Sequence, residues 1–205
     1  MNAHKIILAG GTGFIGQLLI NHLKHEPIEL VVLSRKPSAN HDNVRYVIWD
    51  GETSGEWISE LNGANVLINL AGKSVDCRYT LHNKQLIMDS RIKSTKVLGD
   101  AICQAQKPPQ LWINSASATI YRHALDRQMD EDTGEIENGR SDHQFSVQVC
   151  KTWEQTFWDA QVPATVRKVV LRLAIVLGKE GGVIPVLKRL VLCGLGGTMG
   201  RVISL

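Results

Sequence analysis

The sequence predicts an α/β protein built on a doubly wound parallel sheet. Three observations carry that prediction. Short, almost wholly apolar runs recur along the chain, amphipathic stretches separate them, and a glycine-rich turn joins the first run to the first amphipathic stretch. Continuous apolar strands are buried on both faces, which requires helices above and below a parallel sheet. Right-handed crossovers then produce the doubly wound arrangement.

The elements follow in order. Lys5–Ala9 is the first strand. Phe14 to His25 carries Phe14, Leu18, Leu19 and Leu23 at helical spacing. Leu30–Leu33 and Val44–Trp49 are the second and third strands, and Val66–Leu70 is the fourth. Asn83–Gln106 is a long helix with Leu86, Ile87, Ile92, Val97, Leu98 and Ile102 on one broad face. Leu111–Ser115 is the fifth strand. Arg122 to Ser141 is polar and acidic (Asp126, Asp130, Glu131, Asp132, Glu135, Glu137) and reads as a long surface loop. Phe145–Ala160 is again helical, and Lys168–Leu173 is the sixth strand. Gly181 and Gly182 precede a helix at Pro185–Leu192. Gly194, Gly196, Gly197 and Gly200 follow as a loop, and the chain ends with Arg201 to Leu205.

Bulk properties narrow the function classes. With 205 residues, 43% hydrophobic and 21% charged, the chain suits one large soluble domain, or one domain plus a fragment. A net charge of +3, scattered and without a basic block interleaved with aromatics, argues against a nucleic-acid partner. The four cysteines, Cys77, Cys103, Cys150 and Cys193, are too far apart for a CxxC motif and read as free thiols. No apolar run is long enough to span a membrane, and no signal peptide precedes the first strand, so the expectation is a cytoplasmic protein without a membrane partner. His123, Asp126 and the acids near Asp130 have irregular spacing on one loop. They read as solvated surface, and no metal site is expected.

The glycine turn carries the first functional signal. Gly10, Gly11, Thr12, Gly13, Phe14, Ile15 and Gly16 follow the first strand and open the first helix. Gly10 allows a sharp exit from the strand, Gly13 leaves room for a pyrophosphate against the backbone, and Gly16 lets the helix pack closely. The positive end of the helix faces the phosphates. This is the dinucleotide-binding fingerprint of a Rossmann fold in its confirming context. Where an NAD site would place an acid on the ribose 2′-hydroxyl, this chain has Ser34-Arg35-Lys36. Ser34 and Arg35 suit a 2′-phosphate, and a solvated basic loop is the alternative. Asp50, just past the third strand, either accepts from the adenine amino group or is an ordinary turn aspartate. The expected cofactor is NADP, with NAD as the alternative. Residues 1–180 form the NAD(P)-binding domain, and 181–205 form the start of a shortened substrate-binding region.

Three segments, residues 10–16, Asn69-Leu70-Ala71-Gly72 and Ser115-Ala116-Ser117-Ala118-Thr119-Ile120-Tyr121, resemble the extended short-chain dehydrogenase/reductases, the NAD-dependent epimerase/dehydratase superfamily. Ser90-Arg91-Ile92 with Thr95, Cys150 with Trp153-Glu154, Arg172 with Val176-Leu177-Gly178, and Gly194-Leu195-Gly196-Gly197 resemble its atypical branch of epimerase family proteins, whose members are labelled nucleoside-diphosphate-sugar epimerases. The resemblance runs from about residue 5 to about residue 200. It implies hydride transfer at a carbonyl or carbinol carbon of a small substrate. It adds Leu70, Ala71, Gly72 and Ser115 to the cofactor contacts and nominates Ser117 as the hydroxyl on the substrate oxygen. A serine that closes a loop through its own backbone is the alternative for Ser117.

The same resemblance exposes departures. The family's Tyr-x-x-x-Lys pair would fall at Phe145 and Val149, and phenylalanine has no proton to give. Lys151 lies roughly 200° around the helix from Val149. Tyr121 is the remaining candidate donor close to Ser117, while Lys73, Ser74 and Arg91 should border the reacting end. Cys150 and Trp153 read as core packing. Relatives continue past Gly200 into a smaller substrate lobe, so the expectation is a C-terminal lobe that is missing or vestigial. The helices 83–106 and 145–160 resemble those that pair into homodimers. Two functions stay open: an NADP-dependent epimerase or oxidoreductase, and a non-catalytic NADP-binding sensor or regulator.

Overall fold

The computed structural model describes residues 4–36, 38–41, 43–138, 144–179 and 181–197. Six strands, β1 (His4–Ala9), β2 (Ile28–Ser34), β3 (Val44–Ile48), β4 (Val66–Asn69), β5 (Leu111–Ser117) and β6 (Arg167–Leu173), form one sheet in the order β3-β2-β1-β4-β5-β6. All five pairings are parallel, with Ile7 opposite Val31 and Leu67, and Leu67 opposite Trp112. The strand order reverses between β1 and β4. At such a switch point the connections leave in opposite directions and open a crevice at the carboxyl ends of the strands.

The period-2 alternation of strand side chains divides the core between two faces. Ile7, Ala9, Val31, Leu33, Leu67 and Trp112 point to one face, where they meet Leu98, Ala101 and Ile102 of α2 (Leu81–Gln104) and Phe157 of α3 (Gln144–Asp159). Trp112 and Phe157 are fully buried and pack edge-on, with centroids 4.5 Å apart. Leu8, Leu30, Val32 and Val44 point to the other face, under Ile20, Leu19 and Leu23 of α1 (Phe14–Leu23). Both faces of the central strands are therefore dry, which is why those strands read as unbroken apolar runs.

Several boundaries move from their expected places for local reasons. α2 starts at Leu81, two residues before the expected Asn83, because the Thr80 hydroxyl caps it by accepting from the Asn83 N–H at 3.2 Å. β5 continues to Ser117 because β6 pairs with it as far as Leu173. A 3-10 helix at Glu56–Leu61, not expected from the sequence, buries Trp57 and Leu61 against the α2 face. Glu60 holds this turn to the sheet by accepting from Lys5 and from both terminal nitrogens of Arg45.

The segment after Tyr121 is a surface loop that folds back on itself. Tyr121 and Ile136 form an antiparallel bridge, Arg122 N–H donates to Glu135 O, and Glu137 N–H donates to Ile120 O. Arg122 pairs with Asp126 and Glu135, Arg127 pairs with Glu135, and Asp130 caps the turn at Thr133. Asp126, Asp130 and Glu135 thus have cationic or turn partners within the loop. Residues 139–141 of this stretch lie outside the described residues.

The chain separates into two compact units, Met1–Leu173 and Ala174–Leu205. In the second, Leu177 bridges Gly182, and α4 (Ile184–Leu192) has Pro185 in its first turn. Gly194, at φ +73°, lets Leu195 N–H reach Leu190 O and terminates the helix. Gly200 and the Arg201–Leu205 ending lie outside the described residues. Among the described residues, no helix is long and apolar enough to cross a membrane.

Candidate functional site

The turn after β1 is shaped by what a side chain would strike. Gly10 has φ +74°, and a Cβ there would sit 2.7 Å from the Ala71 Cα, so only glycine brings this turn against the loop after β4. At Gly11 a Cβ would meet Val32 Cγ1 at 2.9 Å, so Gly11 makes the close contact with the sheet. At Gly16 it would stand 2.2 Å from Gly11 O, so Gly16 packs the helix against the turn rather than against the strands. Gly13 differs: its Cβ would meet only Gly10 O, at 3.8 Å. Gly13 caps α1 with no side-chain bond, and no acidic residue occupies the first turn. The N–H groups that open a helix have no partners within it. The positive end of α1 is left for an anion from outside.

A cleft of about 600 Å³ opens in front of this turn. Gly10, Thr12 and Gly13 line it from β1, Ser34 and Arg35 from β2, Trp49 and Asp50 from beyond β3, and Leu70, Ala71 and Gly72 from beyond β4. Nine residues expected at a cofactor site therefore converge on one crevice. Gly11 and Gly16 are buried in the turn behind it, and Phe14 and Ile15 belong to the first turn of α1. Ser115, also expected as a contact, lies buried on β5 with its hydroxyl donating to Asn69 O at 2.9 Å.

Within the cleft the polar groups differ in availability. Arg35 is exposed and has no hydrogen-bonding or ionic partner among the described residues. Ser34 is buried, and its hydroxyl closes a turn by accepting from Lys36 N–H and donating to Lys36 O. Asp50 accepts from Thr53 Oγ1 and from the Thr53 and Glu52 N–H groups. The Thr53 hydroxyl, helped by those two N–H groups, holds its carboxyl below the usual range. Asp50 is thus a turn aspartate on the cleft wall. Lys93 of α2 reaches Glu52 at 2.9 Å, two lining residues from separate elements. Trp49 carries no motif that marks it in the sequence. It is 3% exposed, packs on Trp57 at 5.6 Å, and its buried indole N–H has no acceptor among the described residues.

The loop beyond β4 is held from beneath by a buried polar network. Asn69 Oδ1 accepts from Ala71 N–H, and its amide donates to Asn114 Oδ1 at 2.7 Å and Thr95 Oγ1 at 3.3 Å. Trp153 Nε1 donates to the same Thr95 hydroxyl at 3.0 Å. Asn69, Thr95 and Asn114 are each fully buried, so every lost partner would leave a dry polar group. The network links β4, β5, α2 and α3 and fixes the backbone that Gly10 touches. Ser90 and Arg91 add a clamp: Lys73 N–H donates to Ser90 Oγ and Arg91 Nη1 donates to Lys73 O.

The expected chemistry residues lie outside the cleft lining. Ser117 ends β5, and its hydroxyl donates to Thr119 Oγ1 at 2.9 Å and accepts from Thr119 N–H. Tyr121 accepts from Arg172 Nη1 at 2.8 Å, and Arg172 holds the buried Glu154 through two bonds of 2.9 Å. Its hydroxyl is therefore an anchor of the β6–α3 pair. Phe145 packs edge-on against Tyr79 at 5.5 Å and under the Lys84 ammonium at 5.2 Å. Lys151 lies in a separate groove between α2 and α3 with Lys96 and Asp100. Cys150 is buried, and burial pushes its thiol up despite a Ser117 hydrogen bond.

Comparison with known proteins agrees with this geometry. The model of the family described as "NAD dependent epimerase/dehydratase family" matches residues 6–192. The epimerase family protein SDR39U1 of Bos taurus is 31% identical over 200 residues, covering 96% of this chain and 62% of that protein. The crystal structure of human epimerase family protein SDR39U1 (isoform 2) with NADPH superposes with a TM-score of 0.76 at 29% identity, covering 94% of this chain and 61% of that one. The nucleoside-diphosphate sugar epimerase from Corynebacterium glutamicum superposes with a TM-score of 0.70 at 25% identity, covering 97% of this chain and 39% of that one. The chain spans about three fifths of the length of the first two relatives.

Proposed function

This chain belongs to the NAD dependent epimerase/dehydratase family, and from that premise we propose that it binds NADP in the cleft before Gly10–Gly16 and presents a small substrate for hydride transfer. One observation carries the reading: the open backbone at Gly13, Arg35 with no partner among the described residues, and the loop Leu70–Gly72 line a single crevice at the switch point. The residues fit the group. Gly13 leaves room where a pyrophosphate would touch the backbone, and the start of α1 supplies unpaired N–H donors. Arg35 is a free fork for a 2′-phosphate, while NAD lacks that phosphate and would gain nothing from it. Trp49 offers a buried N–H donor on the cleft wall beside Asp50. The human relative crystallised with NADPH, which supports the same choice.

A nicotinamide held there would supply hydride chemistry at a carbonyl or carbinol carbon. The protein's part is to hold that carbon's oxygen. Ser117 stands at the carboxyl end of β5, and its hydroxyl can turn from Thr119 to donate to a substrate oxygen. The family's usual proton donor is replaced by Phe145, and Tyr121, whose hydroxyl accepts from Arg172, does not line the cleft. That pair of facts favours a second reading, an NADP-binding module that senses the cofactor without turnover. A direct assay separates the two: NADPH consumption by the purified chain against a panel of aldehydes and ketones, with Ser117→Ala alongside. Consumption that falls in Ser117→Ala supports hydride transfer. Tight NADPH binding with no consumption supports the sensor.

A further inference from the structure

Arg91 is a partly buried guanidinium with no carboxylate partner among the described residues. Its Nη1 donates to Lys73 O at 3.1 Å and Ile87 O at 3.0 Å, and its Cζ lies 5.1 Å from the centre of the Trp153 ring. Nη2 and Nε make no hydrogen bond to any described residue. The titratable groups that face it are the Cys150 thiol from α3 and the Tyr79 phenol from the segment before α2. Nearby carboxylates are engaged elsewhere: Glu154 with Arg172, and Asp89 with the Gln85 amide. Lys73 on the cleft wall is a second cation with no ionic partner among the described residues. Removing a charge from water is costly unless an opposite charge or several hydrogen bonds replace the water. Two carbonyls and an aromatic face provide part of that replacement here. Burial still pushes the Arg91 guanidinium below its usual range.

We propose that Arg91 is an oxyanion-binding residue that receives a carboxylate or phosphate group of the substrate, using Nη2–H and Nε–H as a forked donor. This rests on the reading that the cleft holds the dinucleotide. The position is separate from the places that take the cofactor's own phosphates. The glycine turn follows β1 and Arg35 follows β2, whereas Arg91 lies on α2 between Gly72 and the Trp153 ring of α3. A Cβ on Gly72 would stand 3.2 Å from the Arg91 Cζ, so glycine lets the guanidinium come up behind the loop. Ser90 and Arg91 hold both polar backbone groups of Lys73, which fixes the guanidinium relative to the cleft wall. A planar fork so held matches the two oxygens of a carboxylate or phosphate.

The test is NMR of the Arg91 Nε–H resonance, identified by its loss in Arg91→Lys, while NADPH-saturated protein is titrated with inorganic phosphate and separately with malonate. The expected result is a saturable shift with at least one anion; malonate alone indicates a carboxylate substrate, and phosphate alone a phosphorylated one. In Arg91→Gln the anion affinity falls about tenfold or more, as expected when charged hydrogen bonds are lost, while NADPH affinity holds. A resonance that neither anion moves overturns the proposal. So does a resonance that NADPH alone shifts and the anions then leave unchanged, which assigns Arg91 to the cofactor. Should Arg91→Gln fail to fold, the wild-type titration still decides. If NADPH does not bind the wild-type chain, the cofactor reading fails instead, and the same titration without NADPH judges Arg91 independently.

Discussion

Alanine placed at Gly13 and at Gly16, in the same turn, should do opposite things. At Gly16 the new methyl would lie 2.2 Å from Gly11 O and 2.5 Å from Gly11 Cα, where ordinary contact begins near 3.4 Å. Those are backbone atoms, and Gly11 cannot retreat because it lies against Leu8 and Val32. The start of α1 must move by about 1 Å, an overpacking that costs about 2–3 kcal/mol. For a chain of this size that lowers the melting temperature by about 5–10 °C. At Gly13 the methyl meets only Gly10 O at 3.8 Å, and the backbone, at φ −75° and ψ 176°, suits any residue. The stability cost is at most about 1 kcal/mol, from the poorer helix cap. On the proposed reading, however, that methyl fills the space a pyrophosphate would take. Thermal unfolding by circular dichroism and NADPH titration by fluorescence read the two effects separately. Gly13→Ala should keep its stability and lose NADPH; Gly16→Ala should lose stability. A Gly13→Ala chain that binds NADPH like wild type, or a Gly16→Ala chain that melts like wild type, refutes this assignment of the turn.

Other perturbations follow from the packing. Glu154→Ala strands Arg172 without its carboxylate and should cost about 3 kcal/mol, at the low end for a broken buried pair because Arg172 keeps 28% of its side-chain surface. Tyr121→Phe removes one hydrogen bond to the same arginine and should cost about 1 kcal/mol, both read from urea unfolding. A thiol reagent at mildly alkaline pH should modify the exposed Cys103 and Cys193 rapidly and Cys150 slowly, because burial keeps Cys150 protonated; mass spectrometry of timed samples reads the order. Arg45 and Lys5 hold the Glu60 carboxyl below its ordinary value of 4.5. That stabilisation is present above 4.5 and is lost as pH falls through the depressed value, so Glu60→Gln should flatten the acid limb of the stability curve.

Much of the fold could be read from residue order, because it rests on local alternation. Ile7 and Leu8 face opposite sides of the sheet, and an unbroken apolar run is what such a strand must show. The glycine turn was legible because its spacing lies within seven residues, although the close approach of Gly11 to Val32 was not expected and Gly16 packs against Gly11. Less legible were features settled at long range. Trp57 and Leu61 form a buried 3-10 turn too short for helical periodicity to announce. The Tyr121 hydroxyl meets Arg172 fifty-one residues later, a contact that no local spacing announces. Asp50 shows the limit of residue type alone: the carboxylate lines the cleft, but its bonds to Thr53 and Glu52 became visible only in the fold. That Arg91 has no carboxylate partner among the described residues likewise became visible only in the fold.

The most direct measurement is a fluorescence titration of the purified chain with NADPH and with NADH, alongside Arg35→Ala. The predicted result is saturable NADPH binding, weaker NADH binding, and a selective loss of about tenfold or more for NADPH in Arg35→Ala, the worth of a charged hydrogen bond to a phosphate. Binding of neither nucleotide, or an Arg35→Ala chain that keeps full NADPH affinity, would contradict the placement of NADP in this cleft.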